Sequence, residues 1–159
     1  MDKKYTNILE VLASSEWNEA NAVLPFILGV DAGGKLIVKD FAALPHLVIA
    51  GATGTGKSTL THAILLSLIN NQPPESINLL LCDTKILEFS GYSDLPHLLA
   101  PVVTDSNKIS RVLSWLNEEM RKRAFALQKT GARSISSYNA TVTTCCLLYT
   151  SPSPRDTER

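Results

Sequence analysis

Residues 51–58 combine glycines, a lysine and a serine at the spacing of a phosphate-binding loop. They read Gly-Ala-Thr-Gly-Thr-Gly-Lys-Ser, which satisfies the pattern G-x-x-x-x-G-K-[ST]. Glycine lets the backbone fold tightly enough for several N–H groups to face one anion. Lys57 supplies a mobile positive charge for the phosphates, and Ser58 offers a hydroxyl to Mg²⁺. The spacing therefore predicts a site for ATP and Mg²⁺.

The flanking sequence places this loop between a strand and a helix. Residues 46–50 form a short apolar run that is typical of a buried strand, and residues 57–71 predict a helix. A helix that begins at the loop directs its positive dipole end towards a phosphate. A purely structural glycine turn is the alternative interpretation. The predicted nucleotide-binding residues are Gly51, Ala52, Thr53, Gly54, Thr55, Gly56, Lys57, Ser58 and Thr59.

The patterns before and after the loop predict an α/β fold. Thr6 or Asn7 can cap a short helix, and residues 24–30 and 35–39 predict a β-hairpin. A second apolar run at 77–82 completes a strand–helix–strand unit, which implies a parallel sheet. We therefore predict a P-loop NTPase core with a parallel sheet flanked by helices, preceded by a short helix and a hairpin.

A third strand and a long helix are predicted after this unit. Residues 101–103 can form the strand, and apolar residues repeat every three or four positions from 106 to 130. This stripe predicts a packing face. Residues 108–133 also carry seven basic and two acidic side chains, whose plainest interpretation is a solvated face.

Composition narrows the class of protein without naming its function. The chain has 159 residues, 45% of them hydrophobic, and a formal net charge of zero. Its three cysteines are too few and too unevenly placed for a disulfide framework, so a reducing, cytoplasmic location is expected. His46, His62 and His97 lack metal-ligand spacing and are expected to be structural or exposed.

Six sequence blocks resemble the motor domain of FtsK/SpoIIIE-family DNA translocases. They lie at residues 44–58, which include the loop, and at 83–88, 95–105, 115–123, 131–135 and 137–139. The resemblance implies the N-terminal part of a RecA-like core. It further implies a hexameric ring around double-stranded DNA and ATP hydrolysis coupled to DNA movement, in chromosome segregation, cell division or DNA transfer. Any membrane attachment would come from an N-terminal region not present here.

Asp83 is a candidate Mg²⁺ ligand that the family comparison disfavours. It ends an apolar run, as the acid of a Walker B strand does, but Thr84 and Lys85 follow it where a glutamate is expected. In the family, the Asp-Glu pair lies on a later strand, and Thr84 replaces a usual proline. The catalytic residues therefore remain unknown. The alternative function is a nucleotide-binding fragment or scaffold with little or no hydrolysis of its own.

The end of the chain departs from the family pattern after Asn139. Residues 146–156 resemble the conceptual translation of a sequencing-library adapter, which predicts a non-native, disordered tail; a natural Ser/Pro-rich tail is the alternative. We therefore divide the chain into a helical lead-in at 1–23, a partial ATPase domain at 24–144 and this tail at 145–159.

Overall fold

The computed structural model describes residues 7–44 and 46–141, and the chain divides into two compact units. The first unit ends at Pro74 and the second begins at Glu75. The predicted tail at 145–159 and the proposed Thr6 cap lie outside the described residues. The first unit contains the phosphate-loop sequence, and the second contains Asp83 and the long basic helix.

The first unit begins with two short helices, α1 (Ile8–Leu12) and α2 (Ser15–Asn18). The side chain of Asn7 accepts a hydrogen bond from the N–H of Leu9 at 3.0 Å, so Asn7 is the cap of α1. Ser14 caps α2 in the same way through the N–H of Trp17. Val11 and Trp17 are buried against Ile27 and Leu36, which explains why such short helices persist.

The predicted hairpin is present as β1 (Pro25–Val30) and β2 (Leu36–Asp40), which pair antiparallel. Asp31 closes the turn by accepting hydrogen bonds from the N–H groups of Gly33 and Lys35, at 2.8 and 2.9 Å. A bulge interrupts the register between Ile27 and Gly29.

Helix α3 (Lys57–Asn71) has the predicted bounds and packs against β1. Ser67 is fully buried; its hydroxyl donates to the carbonyl of Ala63 at 2.6 Å and accepts from the N–H of Ile27 at 3.2 Å. Phe26, also on β1, packs edge to face against Phe41 with ring centroids 5.5 Å apart. Helix α3 and the hairpin are therefore joined by packing and by the buried hydrogen bond between Ser67 and Ile27.

The predicted buried strand at 46–50 is wrong. The segment has no strand pairing, and Val48 is 86% exposed. A strand is stabilised by cross-strand hydrogen bonds, and none of the residues in 7–44 and 46–141 supplies a ladder to this segment.

The second unit pairs residues 79–83 in parallel with residues 97–103. Leu79 bridges Leu98 and Cys82 bridges Val103, both in parallel, which joins the predicted run at 77–82 to the segment that contains the predicted third strand. The predicted strand–helix–strand unit of 46–50 with 77–82 is wrong, because residues 46–50 do not form a strand. The carbonyls of Leu79 and Leu81 accept hydrogen bonds from the N–H groups of Leu99 and Val103. The first segment therefore advances by two residues where the second advances by four. Pro101 lies in the longer segment and has no N–H. The ladder is therefore reduced to isolated bridges where continuous strands were predicted.

Helix α4 (Ser106–Thr130) also has the predicted bounds, and the short helix α5 (Ile135–Thr141) follows it. Asp105 caps α4 by accepting from the N–H of Asn107 at 2.8 Å, and Gly131 ends it at φ +69°. The predicted packing face is not buried: Leu113 is 55% exposed and Met120 63%. Within the described ranges, no helix is both long and apolar enough to cross a bilayer.

Candidate nucleotide-binding site

The loop at 51–56 folds back on the carbonyl oxygen of Ala52. Three donors converge on this oxygen: the Thr55 N–H at 3.4 Å, the Thr55 hydroxyl at 2.7 Å and the Lys57 ammonium at 2.7 Å. A Cβ at Gly51 would lie 2.6 Å from the Thr55 hydroxyl oxygen. The absence of a side chain at Gly51 therefore lets the two ends of the loop approach closely.

Gly56 makes the transition from the loop to α3. Its φ of +91° lies in the left-handed region, which a residue with a side chain adopts only at a cost of about 1–2 kcal/mol. Gly54 has a φ of +81°, and a Cβ at either position would meet no atom within 4 Å. Backbone conformation, and not crowding, therefore favours glycine at these two positions.

Helix α3 begins at the loop without a side-chain cap. Its N-cap is Gly56, whose carbonyl accepts from the N–H of Leu60 at 2.9 Å. The 15-residue helix concentrates positive partial charge at this end, where an anion is favoured. Ser58 and Thr59 lie in the first turn, and Thr53 lies on the exposed part of the loop.

These residues fit a nucleotide phosphate and Mg²⁺. The loop is exposed, and the Lys57 ammonium crosses it to reach Ala52. Helix α3 adds an N-terminus next to the loop, with the Ser58 hydroxyl in its first turn. A hydroxyl oxygen is a suitable ligand for Mg²⁺, which prefers oxygen. The structure therefore brings all nine predicted nucleotide-binding residues, Gly51 to Thr59, into one continuous loop and helix start.

Asp83 organises its own loop in the second unit. Its carboxylate is buried and accepts hydrogen bonds from the N–H groups of Lys85 at 3.0 Å and Glu88 at 2.8 Å. Backbone N–H groups, that of Glu88 foremost, hold the pKa of Asp83 below its usual value despite the opposing effect of burial. Both carboxylate oxygens are thus engaged by the loop that follows.

The same loop contains a strained residue. Ile86 has a φ of +62°, which is rare for a β-branched side chain, and its N–H donates to the carbonyl of Asp83 at 3.3 Å. Ile86 is 65% exposed and Leu87 79% exposed. The hydrogen bonds to Asp83 hold this conformation in place without burial of the two apolar side chains.

Sequence reasoning missed Asp40 and Ser67, which position the elements around the loop. Asp40 accepts from the N–H groups of Val23 and Leu24, each at 3.0 Å, and so holds the start of β1 against the end of β2. No local sequence signal marks Ser67, because its burial becomes visible only in the structure. The three histidines differ in exposure: His46 is exposed, His62 half-buried and His97 buried. The part of the chain that the structure describes holds no cluster of three metal-ligating side chains.

The glycine loop, the helix that follows it and the parallel pairing in the second unit define an incomplete RecA-like P-loop ATPase core. A solved structure, that of the pCW3 conjugation coupling protein TcpA in its monomer form with ATPγS, matches 81% of this chain with a TM-score of 0.64. The identity is 24%, and the match covers 34% of that protein, so the likeness concerns the fold.

The profile of the FtsK/SpoIIIE family matches residues 7–147, and the chain belongs to this family. DNA translocase FtsK of Clostridium tetani is 44% identical over 130 residues, which are 82% of this chain and 18% of that protein. The Haemophilus influenzae protein of the same name is 39% identical over 139 residues, 87% of this chain and 26% of its own length. The chain thus corresponds to a small part of these relatives, and the predictions of family and fold are confirmed.

Proposed function

We propose that this chain is the ATP-binding portion of a motor that moves double-stranded DNA. The observation that carries the proposal is the loop at 51–56, where Lys57 reaches across to Ala52 and α3 begins directly behind it. Membership of the FtsK/SpoIIIE family and relatives named DNA translocase support DNA as the substrate of the complete protein. In that protein, ATP hydrolysis would drive DNA movement.

Each loop residue has a role that follows from its chemistry. The backbone of 51–56 and the start of α3 would hold the phosphate oxygens through N–H groups, and Lys57 would exchange its Ala52 contact for phosphate charge. Ser58 would place its hydroxyl on Mg²⁺, which neutralises phosphate charge when bound. Gly51 would allow the close approach to Thr55 within the loop, and Gly56 would allow the left-handed backbone conformation that leads into α3.

We further propose that the 159-residue chain binds ATP but turns it over slowly. Asp83 supports this view, because both of its carboxylate oxygens already accept backbone N–H groups of its own loop. Turnover at a rate typical of motors, lost on Lys57→Ala, would contradict it and would revive Asp83 as a Mg²⁺ ligand. Assembly as a six-membered ring in the cytoplasm, and a role in chromosome partition or DNA transfer, are proposals for the complete protein.

Equilibrium binding of a fluorescent ATP analogue tests the proposal. Lys57→Ala removes a charge-assisted contact worth about 1.5–3 kcal/mol, so we expect affinity to fall by about 10- to 100-fold. The matched control is Lys35→Ala, which removes the same charge from the exposed hairpin turn. Equal affinity in the Lys57→Ala variant and the parent, with both folded by circular dichroism, would overturn the proposed site.

A further inference from the structure

Two side chains share the carbonyl oxygen of Ala52, on which the phosphate-binding loop folds back. The Thr55 hydroxyl and the Lys57 ammonium each donate to this oxygen at 2.7 Å, whereas the Thr55 N–H lies farther from it at 3.4 Å. The phosphate role proposed for Lys57 requires its ammonium to leave this oxygen. Of the two side chains, Thr55 then remains to hold the Ala52 carbonyl.

The Lys57 ammonium is held in the loop by a neutral acceptor. Within residues 7–44 and 46–141, no carboxylate forms an ion pair with Lys57. An ammonium interacts more strongly with a charged phosphate oxygen than with a neutral carbonyl, because two opposite charges add a Coulomb attraction. The contact with Ala52 can therefore be exchanged for a phosphate, and the cost of the exchange depends on what the carbonyl retains.

The Thr55 side chain lies where a side chain at Gly51 would otherwise lie. A Cβ at Gly51 would be 2.6 Å from the Thr55 hydroxyl oxygen and 3.6 Å from the Thr55 Cβ. The stem of Lys57 passes the same point, since its Cγ would be 3.7 Å from that added Cβ. Thr55 and Lys57 therefore both pass Gly51 and reach one acceptor, so a change in one is felt by the other.

We propose that Thr55 is a positioning residue for nucleotide binding, whose hydroxyl keeps the Ala52 carbonyl hydrogen-bonded when Lys57 turns to the phosphate. A carbonyl that also accepts from a hydroxyl loses less when the ammonium leaves than one that depends on the ammonium. The hydroxyl bond is present with and without nucleotide, so it affects affinity through the release of Lys57. The inference rests on the proposed function and adds to it the residue that makes this release less costly.

Equilibrium binding of the fluorescent ATP analogue to the 159-residue chain tests the inference. Thr55→Val removes the hydroxyl but keeps the branched shape, and we expect affinity to fall by about three- to tenfold, the range of one neutral hydrogen bond. Thr55→Ser keeps the hydroxyl and should bind within about twofold of the parent chain. The matched control is Thr130→Val, which removes an exposed hydroxyl that donates to the Ala126 carbonyl at 3.1 Å and should leave affinity unchanged. Circular dichroism checks that each variant is folded.

A double-mutant cycle separates this role from a merely structural one. In the Lys57→Ala background no ammonium has to leave the carbonyl, so Thr55→Val should lower affinity by less than about twofold. The same loss in both backgrounds would overturn the inference, as would a Thr55→Ser variant that binds no better than Thr55→Val. Parent-like affinity of Thr55→Val beside a weakened Lys57→Ala would overturn this inference alone, whereas parent-like affinity of Lys57→Ala would overturn the proposed function.

Discussion

Asp40 shows how a single carboxylate can join the two ends of the hairpin. One of its oxygens accepts from the N–H groups of Leu24 and Ala42, and the other from Val23, each at 3.0 Å. These bonds, that to Leu24 foremost, lower the pKa of Asp40 below its usual value. The charged form is therefore favoured more in the folded than in the unfolded chain.

The lowered pKa of Asp40 makes the stability of the folded chain depend on pH. The contribution of Asp40 is fully present above its unfolded pKa of about 3.9, and it is lost as the pH falls through the lower folded pKa. Asp40→Asn removes this titration and replaces one accepting oxygen by an NH₂ donor that faces a backbone N–H group, so we expect it to lower the unfolding free energy at pH 7 by about 1 kcal/mol. Urea unfolding across the acid range should therefore show a flatter profile for this variant.

The exposed Asp94 provides the matched control for Asp40. Asp94→Asn should follow the profile of the parent chain at every pH. A parent-like slope in Asp40→Asn would show that the three backbone hydrogen bonds do not stabilise the charged carboxylate in solution.

The strained loop after Asp83 gives a second prediction at this scale. Ile86 has a φ of +62°, so Ile86→Gly relieves about 1–2 kcal/mol of backbone strain. Part of this gain is offset because glycine loses more conformational entropy on folding. We expect a net stabilisation of about 0.5–1 kcal/mol by thermal unfolding. Leu87→Gly, at a more exposed neighbour whose φ is not positive, should be neutral or destabilising. Destabilisation by Ile86→Gly would contradict this explanation.

Residue-level prediction is possible where the pattern is local. The phosphate-loop residues 51–59 follow one another in sequence, so their types and spacing predict a nucleotide site without knowledge of the fold. Asp40 and Ser67 act on partners 16 and 40 positions away, and no local pattern indicates such a contact. Long-range hydrogen bonds depend on the packing of whole elements, which a single sequence does not display.

At the scale of elements, helices were predicted well because their ends are local. Asp105 and Gly131 bound α4, and the glycine loop bounds α3, so both helices begin and end where the sequence indicated. Strands depend on partners far along the chain. Residues 46–50 have the composition of a strand but no ladder in the described residues, and Pro101 interrupts the pairing of 79–83.

Ser67 tests the contact between α3 and the hairpin. Ser67→Ala leaves the buried N–H of Ile27 without its acceptor, so we expect a loss of about 1–3 kcal/mol in unfolding free energy. Ser114 makes the same bond to the preceding turn, at 3.0 Å to the carbonyl of Ser110, but is exposed. Ser114→Ala should therefore change stability by less than about 0.5 kcal/mol. Equal effects of the two substitutions would contradict a bridging role for Ser67.

At the scale of the whole molecule, the net charge of the chain differs from the charge of its individual segments. The formal net charge of the chain is zero, yet residues 108–133, which include most of α4, carry seven basic and two acidic side chains. The family was predictable because its sequence blocks occur in order, and the profile matches residues 7–147. The chain spans 18% and 26% of the two FtsK relatives compared, so the properties of a complete motor require the longer protein.

The most direct test of ATP binding by residues 51–59 is a backbone amide chemical-shift titration of the 159-residue chain with Mg²⁺ and ATPγS. The largest shifts are predicted at the loop glycines Gly54 and Gly56 and at Lys57 and Ser58, with only small shifts on the hairpin. Lys57→Ala should weaken the response by about 10- to 100-fold in ligand concentration. Absence of shifts in the folded chain, or their concentration outside residues 51–59, would contradict the assignment of this loop as the nucleotide site.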